Sequence, residues 1–191
     1  MKKQNVDSPL SLAIVGLLSI EPMSGYDLRK ILLTTGMQAF SASPGAIYPA
    51  LRRIEKDGRI KGAVEKKDTL RPRMVFTLSK RGRAAFVESL TQPVTREDVV
   101  RRMDSLLLRF SFMSELVGAD KMADFLRAFA KETEGYFREL KAELREYAPG
   151  MLFSGRAALE QGIGSYRTTA LWARKTLAEL EKRHSKKGDN R

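Results

Sequence analysis

Between residues 43 and 78 the spacing of apolar side chains switches from a helical period to a period of two, and few folds accept that order. Ile47, Leu51 and Ile54 recur at steps of four and three, which places one buried stripe on a helix over residues 43–57. Gly58 ends that helix, and Ser43-Pro44 opens it. Beyond it, Ile60 and Val64, then Met74, Phe76 and Leu78, stand at even spacing on either side of a polar tip. That is a hairpin with one buried face. Two earlier segments read as helices. One runs from Ser8 to Ser19, with Ser8 as cap and Pro9 at the first position, and Glu21-Pro22-Met23 closes it. The other runs from Ser24 to about Leu33, with Tyr26, Leu28, Ile31 and Leu32 as its apolar members. Ser79 can cap a fourth helix to about Leu90. Three short helices and then a hairpin form a winged helix-turn-helix.

The second half has a different texture. Thr95-x-x-Asp98 approximates a capping box and opens a helix carrying Val99, Met103, Leu106, Phe110 and Met113, which Gly118 ends. A longer helix spans about Lys121 to Tyr147, and Pro149-Gly150 breaks it. After the break Leu159, Ile163, Tyr166, Ala170, Ala173, Leu177 and Leu180 alternate steps of four and three. That is a heptad stripe. Together with Trp172 it is the candidate contact between two copies of the chain; the alternative is packing within one chain. The expected class is therefore mostly α with a small β-hairpin: an N-terminal winged helix-turn-helix, then a C-terminal helical hairpin or coiled coil for dimerisation. The expected boundaries are 1–92 for the first domain, 93–183 for the second, and 184–191 for a basic disordered tail.

Charge supports a division of labour. The chain carries a net charge of +12, unevenly placed: residues 1–90 hold 16 basic and 8 acidic side chains, residues 91–180 hold 14 and 13. A basic half joined to a balanced half suits a polyanion reader with a neutral partner module. Catalytic readings find little to start from. There is no cysteine, and the single histidine, His184, sits in a charged tail, so neither a metal cluster nor a histidine-based triad is expected, and no cofactor either. Gly162-Ile163-Gly164 lacks the flanking strand and lysine of a phosphate loop. Lys2 and Lys3 before an apolar run resemble an export signal, but Asp7 and Pro9 precede the run and Glu21-Pro22-Met23 replaces a cleavage site. No apolar stretch reaches the ~18 residues of a membrane span. A cytoplasmic protein is the expectation.

Projected at about 100° per residue, the helix over 43–57 turns Gly45, Pro49, Arg52 and Lys56 away from its apolar stripe, with Arg53 to one side and Tyr48 on the shoulder. Small groups at the start, including Ala46, and cations further along suit a helix entering the major groove of double-stranded DNA by its N-terminus. Arg52 is the candidate for a bidentate guanine contact. Pro49 removes a helical hydrogen bond unless the helix starts late enough to place it in the first turn. The hairpin offers Lys66, Lys67, Arg71 and Arg73 to phosphates or the minor groove. Ser24 and Tyr26 are candidate phosphate contacts, with capping and core packing as the alternative. The competing functions are a winged-helix protein–protein adaptor and a sequence-indifferent architectural DNA binder.

The run Gly45-Ala46-Ile47-Tyr48-Pro49-Ala50-Leu51-Arg52-Arg53-Ile54-Glu55-Lys56-Asp57-Gly58 closely resembles the reading-helix signature of the PadR family of bacterial transcriptional regulators. Pro22-Met23-Ser24-Gly25-Tyr26-Asp27 resembles the family's first turn, and Arg71-Pro72-Arg73 with Phe76-Thr77-Leu78-Ser79 and Gly82-Arg83 resembles its wing and the helix after it. Phe76 and Ser79 stand where the family often has Tyr and Thr. The resemblance covers about residues 8–90 and extends more weakly to the second half. It implies a homodimer on an inverted repeat, usually repressing, often released by a small aromatic or drug-like compound. Trp172, Tyr166, Phe137 and Tyr136 are candidates to line an aromatic pocket, or else plain core.

Overall fold

The computed structural model describes residues 8–34, 43–65 and 72–188. The chain divides into two compact units, Met1–Leu90 and Thr91–Arg191.

The first unit is a winged helix. Helix α1 (Pro9–Ile20) is capped by the Ser8 hydroxyl, which accepts from the Ser11 amide, with Pro9 in the first turn. Every residue from Ser11 to Leu18 is buried, so the helix is covered on all sides and serves as a core element. It packs on α3 (Pro44–Lys56), α4 (Lys80–Leu90) and the sheet. Helix α2 (Gly25–Thr34) turns Leu28 and Leu32 inward, and α3 buries Ile47, Ala50, Leu51 and Ile54.

The sheet holds one strand more than the sequence suggested. Met23–Ser24 forms β1, which pairs antiparallel with β3 (Arg73–Leu78) through Met23↔Phe76 and Ser24↔Val75; β2 (Ile60–Glu65) pairs with β3 on its other side. The order is β1-β3-β2. Glu21-Pro22-Met23 thus does more than stop α1. Extended backbone forced on Glu21 by the proline carries the chain into the edge of the sheet. The hairpin's inner face holds Ile60 and Phe76 as expected, but Val64 and Met74, nearer the tip, are exposed, because the hairpin runs out beyond the core.

The second unit is built on two long helices. Thr95 and Asp98 form a capping box with both reciprocal hydrogen bonds, but the helix it opens is not continuous. It divides into α5 (Arg96–Arg101) and α6 (Met103–Ser111), because Arg102 between them leaves helical geometry with φ −140° and ψ 32°. Helix α7 (Ala119–Tyr147) and helix α8 (Phe153–Gly188) follow, joined by a 3-10 turn at Ala148–Gly150. They are antiparallel, with Arg127–Glu181 (2.9 Å) and Arg174–Glu134 (2.6 Å) bridging them. Helix α8 continues through His184 to Gly188, past the point where the sequence suggested a disordered tail; the break expected from charge alone does not occur, since Lys, Arg and Glu are all good helix formers.

The heptad stripe of α8 is largely occupied within the chain. Ala170 and Ala173 are buried, and Leu159, Ile163, Tyr166, Leu177 and Leu180 are half-buried, on a helix that packs along α7. Trp172 meets Phe110 and Phe129 edge-on, with centroids 5.6 and 6.1 Å apart.

Two glycines give opposite expectations. A Cβ on Gly82 would collide with the Arg59 carbonyl oxygen, a backbone atom that cannot step aside, whereas nothing lies within 4 Å of a Cβ on Gly162. Gly82→Ala should destabilise the protein by roughly 1–3 kcal/mol through overpacking. Gly162→Ala should stabilise it by roughly 0.5–1 kcal/mol through helix propensity. Urea denaturation of both variants against the parent protein checks the two signs.

Candidate nucleic-acid interface

The candidate interface starts from how α3 ends. Gly58 has φ +70°, and two backbone bonds close the helix over it: Gly58 N–H to the Glu55 carbonyl (2.8 Å) and Arg59 N–H to the Ile54 carbonyl (3.1 Å). This is a Schellman closure, which needs a left-handed residue and favours glycine. The next residues are locked at once. Ser79 donates its amide to the Arg59 carbonyl (2.9 Å) and its hydroxyl to the Gly58 carbonyl (2.7 Å), while that hydroxyl oxygen accepts from the Gly82 amide (2.9 Å). A second tie runs from the Gly62 amide to Glu55 Oε1 (2.8 Å). The end of α3, the start of β2 and the start of α4 therefore meet at one joint, which sets the reading helix against the hairpin.

With Ile47, Leu51 and Ile54 buried, α3 exposes Gly45, Tyr48, Pro49, Arg52, Arg53 and Lys56, and Ala46 is half-exposed. Tyr48, Arg52 and Lys56 stand at successive steps of four, one row along the helix. Among the described residues, Arg52 and Lys56 have no hydrogen-bond or ion-pair partner. Arg53 differs, because its Nη2 donates to the hydroxyl of buried Ser11 at 3.0 Å and so ties α3 to α1. Pro49 lies inside the helix, since α3 begins at Pro44. The later start that would have accommodated it does not occur, and the carbonyl of exposed Gly45 lacks its usual donor from position 49.

Tyr48 owes its position to Gly25. A Cβ there would lie 2.8 Å from Tyr48 Cε1 and 3.4 Å from Leu51 Cδ1, so the absent side chain lets the ring rest on the first turn of α2. Tyr48 remains 45% exposed, and Tyr26, read from the sequence as a candidate phosphate contact with core packing as the alternative, is 67% exposed. Both phenols flank the same helix start. Ser24 is committed elsewhere: it is buried, its hydroxyl donates to Asp27 Oδ2 (2.7 Å) and accepts from the Asp27 amide (3.2 Å). Ser24-x-x-Asp27 is a capping box like Thr95-x-x-Asp98, and the same spacing rule identifies it in the sequence. The bond from Ser24, and then the guanidinium of Arg73, hold the Asp27 carboxyl below its ordinary value. Its contribution to stability is present above the ordinary carboxylate range and is lost as pH falls through the lowered value.

Of the wing cations, Lys66, Lys67 and Arg71 lie outside the described residues. Arg73 is described, and it is engaged: Nε donates to Glu65 Oε2 at 2.9 Å, and Nη1 lies 3.6 Å from Asp27 Oδ2. Sequence reasoning missed Glu55, Asp27 and Glu65, which organise the site without being basic. Gly62 was the available signal for Glu55, because a glycine inside a strand marks a close approach. The aromatic set of the second unit divides in two. Tyr136 and Tyr166 form an edge-on pair at 4.8 Å, while Trp172 joins Phe110, Phe125 and Phe129.

A helix with a buried stripe on one side and a free cationic row on the other, locked beside a β-hairpin, defines a winged-helix nucleic-acid-binding module. Residues 14–88, within the first unit, match the profile of the Transcriptional regulator PadR-like family. No curated protein matches the chain. Among solved structures, a PadR-like transcriptional regulator from Bacillus cereus is similar at 27% identity and TM-score 0.40, over 91% of this chain and 99% of that one. PadR of Bacillus subtilis in complex with operator DNA is similar at 22% identity and TM-score 0.42, over 91% and 99%. The same protein in complex with p-coumaric acid gives 20% and 0.38, over 91% and 96%.

The Arg53–Ser11 bond predicts a residue whose loss is felt in folding. Arg53→Ala should lower stability by about 1 kcal/mol, measured by urea denaturation, and should leave the salt dependence of DNA binding as it is in the parent protein.

Proposed function

We propose that the chain is a homodimeric repressor in the cytoplasm that reads an inverted-repeat operator through α3 and is released by a small aromatic compound. The observation that carries the DNA reading is the row Tyr48, Arg52 and Lys56: exposed, at steps of four, with both cations free of partners among the described residues. Like charges at i and i+4 repel one another, and an anionic groove facing the row would turn that repulsion into attraction. Gly45 and Ala46 in the first turn of α3, and exposed Pro49 further along it, would allow close approach to base edges, and Tyr48 and Tyr26 are the proposed contacts to phosphate or sugar. Lys66, Lys67 and Arg71 are the proposed wing contacts. The match of residues 14–88 to the PadR-like family supports the same reading.

The dimer is supported by apolar side chains left on the surface of the second unit. Leu152 is 81% exposed and Phe153 is 88% exposed, with Tyr147 and Leu171 also open. A partner would cover surface that otherwise meets water at a cost. Since much of the heptad stripe already packs on α7, the contact between copies would draw on these residues as well as on Leu159, Ile163, Tyr166, Trp172, Leu177 and Leu180. Two reading helices related by a two-fold axis would address half-sites about 34 Å apart. The aromatic pairs of α7 and α8, Tyr136–Tyr166 and Phe129–Trp172, are the proposed place for an aromatic effector. An adaptor usually loses the charge on this face, whereas α3 keeps Arg52 and Lys56, which have no partner among the described residues. Among the described residues no helix is long and apolar enough to cross a membrane.

A salt-titrated fluorescence-anisotropy measurement tests the reading, comparing DNA from upstream of the protein's own gene with a scrambled duplex. The expected preference is ~10³ or more. Arg52→Ala should reduce it by about 1–3 kcal/mol of discrimination. Lys56→Ala should weaken both duplexes alike and lower the log–log salt slope by about 1. Equal binding to both, persisting after selection from random duplexes, points to an architectural binder. No binding at low salt sinks the proposal in favour of the adaptor.

A further inference from the structure

Arg73 and Glu65 are the last described pair of the hairpin before its tip, directly opposite one another across β2 and β3. The Arg73 guanidinium bonds Glu65 at 2.9 Å and also reaches Asp27 at 3.6 Å. Asp27 belongs to the first turn of α2, the turn on which the Tyr48 ring rests and from which Tyr26 projects. One cation therefore joins the neck of the wing to the helix start that supports the reading helix.

The local charge argues against a direct phosphate contact by this arginine. Two carboxylates engage this one guanidinium, at 2.9 and 3.6 Å. A phosphate approaching Arg73 would meet the repulsion of both acids and would have to displace at least one of them. All three side chains are between about a third and half exposed: 47% for Arg73, 39% for Asp27 and 35% for Glu65. Ion pairs this exposed add little to global stability. What they fix is direction. The base of the hairpin is held by the pairing of β1 with β3 and by the Glu55–Gly62 bond, whereas the stretch nearer the tip, with Val64 and Met74 exposed, has left the core, and it is there that Arg73 adds its tie.

We propose that Asp27, Arg73 and Glu65 form a positioning clamp that orients the wing against the N-terminal turn of α2, and that Arg73 serves DNA recognition through this clamp and not by contacting a phosphate. The inference rests on the DNA-reading function proposed above and deepens it: Arg73 becomes a positioning residue, and two acids join the recognition machinery.

The test uses the full-length chain and the salt-titrated anisotropy assay, on a duplex selected by the parent protein from random DNA and on its scrambled counterpart. Two variants separate the readings. In Arg73→Ala, the clamp predicts that binding to the selected duplex falls five- to tenfold, about the ceiling for two half-exposed ion pairs, with the salt slope unchanged. The second variant is the double substitution Asp27→Asn with Glu65→Gln, which retains hydrogen-bonding oxygens and removes both charges. Here the clamp predicts the same loss of preference for the selected duplex. A phosphate contact predicts the reverse pattern: Arg73→Ala lowers the slope by about 1, and the double variant binds both duplexes more tightly. Either result overturns the clamp. A DNA-free arm keeps the two proposals distinct. Amide hydrogen exchange over residues 60–65 and 73–78 should quicken in both variants, with the thermal midpoint within a few degrees of the parent. If the parent protein selects no duplex, the functional reading fails, and this arm still decides the clamp: unchanged exchange rules it out.

Discussion

The left-handed turn at Gly58 is the joint on which the first unit depends. A helix that ends in a Schellman closure reverses the chain within two residues, and here the reversal delivers β2 directly beneath α3. Ser79, 21 residues further on, satisfies the Gly58 and Arg59 carbonyls, polar groups that the reversal would otherwise leave without partners. Gly82 then lets α4 close on the same spot. Three elements share one small set of hydrogen bonds, most of them to main-chain groups, which set the base of the hairpin against the reading helix. Side-chain ties, Glu55 to Gly62 at the base and Arg73 to Asp27 nearer the tip, add to it. Loss of the joint would leave α3 helical but free to swing, since its own core stripe is only Ile47, Ala50, Leu51 and Ile54.

Around that joint the charged side chains divide into two groups with different work. Arg53, Glu55, Arg73 and Asp27 all point to partners within the unit: Ser11, Gly62, Glu65 and Ser24. Each connects two elements, so each helps to hold a surface in place. Arg52 and Lys56 have no such partners among the described residues. The division follows from position on the helix. Arg53 and Glu55 flank the buried stripe and reach neighbouring elements, while Arg52 and Lys56 are a full turn apart on the exposed side, with no partner among the described residues. A guanidinium kept free in this way retains its hydrogen-bonding fork for a planar acceptor pair such as a guanine edge. One basic helix thus contains both scaffold and candidate reader, one residue apart.

Periodicity made the helices and the hairpin legible, because burial of one face imposes a period that the sequence must carry. It made α3 legible in particular, with its stripe, its proline start and its glycine stop. What it left out were features set by partners distant in the chain. Strand β1 is two residues long, too short for any period, and exists because β3 offers it an edge. Tyr26 reads both as an apolar member of α2 and as a candidate phosphate contact, and periodicity could not choose between them; its ring is exposed. Arg53 and Arg73 read as two more cations in a basic unit. Their acceptors lie 42 and 8 residues away in sequence, and for Arg73 a second lies on a different element. The division at Arg102 has no local punctuation such as proline or glycine, and the helix through His184 persists where charge suggested disorder. Composition describes a region's average, whereas these features depend on single contacts.

The heptad stripe of α8 shows why a pattern can be real and still leave its partner open. A repeat of steps of four and three requires only that some apolar helix lie alongside. Helix α7 meets that requirement within the chain, with small Ala170 and Ala173 at the tightest part of the packing and larger residues where the stripe is half-buried. Ion pairs Arg127–Glu181 and Arg174–Glu134 fix the same antiparallel register. The pattern is therefore accounted for without a second copy, and any argument for dimerisation passes to residues that the hairpin does not cover. Leu152 and Phe153 carry the most of it. Leu152 lies just before α8 and Phe153 is its first residue, soon after Pro149-Gly150, and their side chains are more exposed than those of any other large apolar residues described. An isolated hairpin has no structural use for a leucine and a phenylalanine at an open turn, where polar residues would serve the break as well. Their presence is the stronger sign that another surface belongs there, because nothing in the folding of this chain alone requires them.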